Sequence, residues 1–174
     1  MHIQKNRQFW IVAIIGFVVD QITKYIVTQT MNLGETFPII PNLFHFTYVR
    51  NTGAAFSLFT GQVGLLRWLS LAVSLGLILL GLFYSGLNKW ERIGYGLILS
   101  GALGNGIDRF ILGYVVDFLD FPFILFPIFD KNSFTFKLIN FPVFNLADVF
   151  INIGLLYLIL NSFRRPTLPP RQSS

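Results

Sequence analysis

The chain has 174 residues, 53% of them hydrophobic and only 12% charged, whereas soluble domains carry about 25% charged residues. So little charge cannot clothe a water-facing surface of this size, and the 20 phenylalanines suit a lipid-facing or interfacial protein. The net charge is +5, but the Lys and Arg flank apolar runs and form no basic stripe interleaved with aromatics, which argues against nucleic-acid binding. There is no cysteine, which excludes disulfides, thiolate catalysis and Cys-ligated metal. With only His2 and His45 present, neither a histidine-based triad nor a zinc site is expected, and no metal or cofactor is implied.

Four apolar stretches approach the ~20 residues that cross a bilayer as a helix. The first covers about 9–28. Lys5 and Arg7 ahead of it fit a cleavable signal, but no small-x-small site follows and apolar residues resume after Asp20, so an uncleaved anchor is the better reading. Asp20 and Lys24, four apart on this helix, share a face and read first as a structural ion pair. In the connection 29–63, Leu43–Arg50 is rich in aromatic and β-branched residues and reads as a strand, with Asn51, Thr52 and Gly53 as a turn.

The second span covers about 64–85 and the third about 93–112. Within the third, Ser100 and Gly104, and Ala102 and Gly106, form small-residue pairs that let helices approach closely. Gly101, Asn105 and Asp108 fall on one stripe, with Arg109 beside it. The connection 113–143 holds Asp117 and the run Phe121–Phe129, too short to span and broken by two prolines, so an interfacial or re-entrant segment is expected rather than a fifth helix. The fourth span covers about 144–163, with Asn145, Asp148 and Asn152 as a second polar stripe expected to face the first. Residues 1–163 thus form one membrane domain, and 164–174 read as a disordered tail. Lys5, Arg7, Lys89, Arg92, Arg164, Arg165 and Arg171 outnumber Arg50, Lys131 and Lys137 on the opposite side, which places both termini in the cytoplasm.

Carboxylates inside a bilayer are costly and usually mark function. Asp117, just beyond the third span, and Asp148, at the start of the fourth, fall at the same outer depth and meet if these helices pack together. Two such carboxylates can share one proton, the ionised one activating water and the protonated one polarising a carbonyl. The same pair also suits a proton relay in a small proton-coupled transporter, and spacing alone leaves the two readings level.

The ordered motifs resemble the bacterial lipoprotein signal peptidases (signal peptidase II). Asp20–Lys24 is similar to the family's first motif and Arg50–Ser57 to its second. Gly101–Arg109, running on through Gly113–Phe118, is similar to the third, and Phe144–Asp148 to the last. The resemblance implies a four-helix transmembrane bundle with a small extracytoplasmic β-platform, in the bacterial cytoplasmic membrane, with its site near the outer face. It implies a cofactor-free aspartic endopeptidase that frees the signal peptide from prolipoproteins bearing a diacylglyceryl cysteine, cutting just before that cysteine. By motif position the catalytic pair is Asp117 and Asp148. Asn51, Asn105, Arg109 and Asn145 are implied to bind substrate or orient the pair, and Asp20, Lys24, Asp108 and Gly101 to support them. Membrane lipids are the expected surroundings and a monomer the expected state. The stretch 119–143 looks longer and more aromatic than the family's usual link, and its Phe-rich part is a candidate surface for acyl chains.

Overall fold

A computed structural model of the chain describes residues 4–53, 62–122, 124–130, 133–139 and 141–164, with 124–130, 133–139 and 164 described by their backbone alone. Ala54–Ser57 of the second motif, Phe123 of the aromatic run and the tail beyond 164 lie outside the described residues. Among the described residues four long helices occur in order: α1 (Arg7–Thr30), α2 (Val63–Phe83), α3 (Lys89–Ile111) and α4 (Leu146–Arg164). Helix α3 is the hub, packed against the other three. Its small residues permit this, since a Cβ on Gly101 would meet the Ala147 carbonyl of α4 and one on Gly104 the Asp20 carboxylate of α1.

The distribution of polarity is the reverse of a soluble bundle. Ile14, Ile15 and Ile22 of α1, Leu65 and Trp68 of α2, and Leu155 and Leu156 of α4 are exposed, while Asp20, Lys24, Asn105 and Asp108 are buried. Apolar side chains on the outside are stable only against lipid, and buried polar groups only against one another. Arg7–Thr30, Val63–Phe83 and Leu146–Phe163 are long and apolar enough to cross a membrane. The third expected span, α3, is not among these by length and composition. It carries the polar stripe and, at its start, Glu91, which closes a capping box with Asn88: Glu91 N–H donates to Asn88 Oδ1 (3.0 Å) and Asn88 N–H to Glu91 Oε2 (2.9 Å).

The connection after α1 forms β1 (Thr36–Ile40) and β2 (Phe44–Asn51), which continue into β3 (Val115–Asp120) as an antiparallel sheet of order β1-β2-β3. The strand read at 43–50 is β2, and Asn51 Oδ1 accepts the Gly53 N–H (2.8 Å), closing the expected turn. One face of the sheet packs Tyr48, Val116 and Phe118 against Val27 near the end of α1. The opposite face carries Val49, Asn51, Val115 and Asp117, with Val49 paired to Asp117 and Asn51 to Val115. The sheet thus pins Asp117 to the end of the bundle. Where an interfacial or re-entrant stretch was expected, β4 (Ile124–Asp130) and β5 (Ser133–Ile139) form a separate antiparallel pair. Pro127 is compatible with β4 because a two-stranded ribbon leaves one edge of each strand unpaired.

Candidate active site

The expected site residues gather into two adjoining clusters. In the first, Asp117 of β3 and Asp148 of the first turn of α4 line one cavity of about 580 Å³. Asp117 Oδ2 accepts from Asn51 Nδ2 (2.9 Å) and its Oδ1 from Asn145 Nδ2 (2.7 Å). Asp148 Oδ1 accepts from Asn105 Nδ2 (2.8 Å) and its Oδ2 from the Asn145 backbone N–H (3.2 Å). Each of the four carboxylate oxygens therefore receives one neutral N–H, which orients the group and leaves acceptor capacity toward the cavity.

Asn145 differs from its expected place. It precedes α4 as the cap, its Oδ1 accepting the Asp148 N–H (3.1 Å), instead of heading a stripe on the helix. A short polar side chain ahead of a helix satisfies an otherwise free N–H, and this cap also carries the Nδ2 group that reaches Asp117 and Asn105 Oδ1 (3.0 Å). Asn152, the third residue of the expected stripe, is exposed and donates to the Asp148 carbonyl (2.8 Å).

The second cluster lies behind Asn105. Lys24 Nζ contacts Asp20 Oδ2 (2.9 Å) and Asp108 Oδ2 (3.0 Å) and donates to Asn105 Oδ1 (2.9 Å). Asp20 Oδ1 accepts the Ala147 N–H at the start of α4 (2.9 Å), and Asp108 Oδ2 accepts the Val116 N–H of β3 (3.2 Å). The cluster therefore ties α1 and α3 to the two elements that carry Asp117 and Asp148. Gln21, which the sequence reading passed over, donates to Asp20 Oδ2 and Asp108 Oδ1 (3.2 Å each). Its place beside Asp20 inside an apolar run was the available signal. Gly101 and Gly104 allow the close approach that the cluster needs.

Because Lys24 is a pure donor, it holds the Asn105 amide with Oδ1 inward and Nδ2 toward Asp148. Arg109 lines the same cavity, its two terminal nitrogens donating to the Asn105 carbonyl (3.2 Å) and the Gly53 carbonyl (3.1 Å). Its Nε is buried with no hydrogen-bond partner among the described residues. Burial, and then the neighbouring Asp148 carboxylate, push the Asp117 carboxyl up to about 7, against the pull of Asn51 and Asn145. A carboxyl held near neutrality can carry a proton into a reaction and lose it again. Among the described residues no group of three or more His, Cys, Asp or Glu side chains is placed to hold a metal ion.

The family model described as signal peptidase (SPase) II matches residues 12–164. The chain is 58% identical to the lipoprotein signal peptidase of Microcystis aeruginosa, over 96% of this chain and 99% of that one. It is 61% identical to the lipoprotein signal peptidase of Nostoc sp., over 93% of each. A solved structure described as a bacterial membrane enzyme superposes with a TM-score of 0.72 at 30% identity, over 91% of this chain and 92% of that one. These relatives and the apolar helices make the chain an integral membrane peptidase, and they give no support to the proton-coupled transporter. The chain belongs to the signal peptidase II family.

Proposed function

We propose that the chain removes the signal peptide from prolipoproteins carrying a diacylglyceryl cysteine, with Asp117 and Asp148 as its catalytic pair. The observation that carries this reading is the convergence of these two carboxylates on one cavity wall, with only neutral donors on their oxygens among the described residues. The ionised member takes a proton from a water held between them. The resulting hydroxide attacks the scissile carbonyl, whose oxygen receives the proton of the other carboxyl. Collapse of the tetrahedral intermediate breaks the C–N bond, and the amine of the lipidated cysteine leaves with a proton returned from the pair. Asn51, Asn105 and Asn145 hold the carboxylates, and Arg109 on the cavity wall holds the Asn105 and Gly53 carbonyls. Asp20, Lys24, Asp108 and Gly101 support this wall.

In this reading all four helices span the bacterial cytoplasmic membrane, α3 being tolerated there because its polar stripe faces inward. Both termini are cytoplasmic, and the sheet and cavity lie at the outer face. Phe141 and Phe144 on the cavity rim provide an apolar contact for the acyl chains. The enzyme acts as a monomer without a cofactor. The deciding experiment mixes purified protein in detergent with a diacylglyceryl-modified preprotein and follows the gel shift. Cleavage by the wild type that needs the lipid and is lost in folded Asp117→Asn and Asp148→Asn supports the assignment. Cleavage by either variant removes that residue from the chemistry.

A further inference from the structure

Arg50 opens the second sequence motif, yet it takes no part in the cavity just described. Strand alternation explains why. Asn51 points to the Asp117 face of the sheet, whereas Arg50 shares the other face with Tyr48. There Arg50 lies over the Tyr114 ring, 4.7 Å from its centroid, and its Nε donates to the Tyr48 hydroxyl (3.4 Å). That face borders a second cavity, of about 480 Å³, whose wall includes Lys24, Tyr25, Leu33, Arg50, Leu112 and Tyr114.

The two cations of this wall differ in their partners. Lys24 is held by Asp20 and Asp108, but Arg50 is exposed and has no carboxylate partner among the described residues. The mouth is framed by exposed Tyr25, Leu33 and Leu112, and exposed Ile22 and Ile26 continue along α1. Ile22, Tyr25 and Ile26 lie in the last third of α1, a helix long and apolar enough to cross a membrane. At that depth tyrosines mark the interface and lipid phosphates are the abundant anions. A guanidinium held over an aromatic ring keeps donors free for a phosphate.

We propose that this second cavity binds the headgroup of an anionic phospholipid, its phosphodiester on Arg50 and its acyl chains along the exposed apolar residues of α1 and the end of α3. The site is separate from the peptidase cavity and lies across the β2–β3 wall from it.

The full chain is placed in phosphatidylcholine nanodiscs containing phosphatidylglycerol, and native mass spectrometry counts the lipids retained. The wild type keeps phosphatidylglycerol in preference to phosphatidylcholine, Arg50→Gln retains it roughly fivefold less, and Lys89→Gln, at the other end of α3, matches the wild type. Equal retention by Arg50→Gln and wild type overturns the proposal. A second measurement needs no variant: rising salt strips phosphatidylglycerol from the wild type but not phosphatidylcholine, and salt-independent retention also overturns it. In lipid-free detergent, inorganic phosphate leaves the melting temperature unchanged. An Arg50-dependent rise as large as phosphatidylglycerol produces assigns the site to a free anion and removes the lipid.

Discussion

Asn105 stands between two pairs of carboxylates that the same helices bring together. Behind it, Asp20 and Asp108 share the ammonium of Lys24. In front of it, Asp117 and Asp148 receive, among the described residues, only amide and backbone N–H groups and face a cavity. A buried carboxylate beside a lysine has its oxygens occupied by a cation. One that meets only neutral donors keeps a proton within reach. On the proposed assignment, the supporting cluster and the catalytic pair differ in the charge of the nearest donor, not in burial, since Asp20 and Asp117 are 0% and 1% exposed.

Exchanging the chemistry of the front pair gives the largest effect. Asp117→Asn or Asp148→Asn is expected to lower kcat by about 10³-fold or more while folding is retained, as read by single-turnover cleavage beside a melting curve. On the other side of Asn105 the loss is one of stability. Lys24→Met strands two buried carboxylates and is expected to cost about 3–5 kcal/mol, seen as a lower melting temperature in detergent. Adding Asp20→Asn and Asp108→Asn to Lys24→Met restores most of that loss, and if it does not, Lys24 does more than balance charge.

Smaller effects sharpen the same contrast. Gly104→Ala drives a methyl group into the Asp20 carboxylate and is expected to cost about 1–3 kcal/mol with the catalytic pH profile unchanged. Asp117 supplies the pH signature. Its folded pKa of about 7 lies above the ordinary aspartate value of 3.8, so the folded protein binds its proton more tightly than the unfolded chain. Stability is therefore expected to fall as pH rises between these values. The shared proton is lost as pH rises through 7, and activity should decline with it. Asp117→Asn removes the ionisation and is expected to melt above the wild type at pH 8, although inactive.

Most of the helical frame was legible, because apolar runs of spanning length have few other uses. The positions of Asn105, Asp108, Asp117 and Asp148 followed from spacing, which records which side chains share a face. What spacing could not record is an end of a helix. Asn145 was read as part of a helical stripe, when its short amide fits the cap. Asn152, one turn further along, lines the cavity beside Asp148 as that stripe expects. Strand β3 escaped notice because six residues with two aspartates lack the alternation of a surface strand, and its pairing with β2 lies far away in sequence. The link from Lys24 to Asp108 crosses from one helix to another and was invisible to any pattern within α1.

The pleat of β2 also sets a rule for how this sequence can vary in length. Arg50 and Asn51 are neighbours in the chain but serve opposite compartments of the molecule. Deleting Val49, or inserting one residue just before Arg50, would exchange them, aiming a cation at the paired aspartates and an amide at the opposite side. Gains and losses of residues should therefore be excluded from this strand among functional variants of the chain, even where single substitutions are accepted, whereas the β4–β5 ribbon can lengthen by a matched residue in each strand without disturbing either compartment.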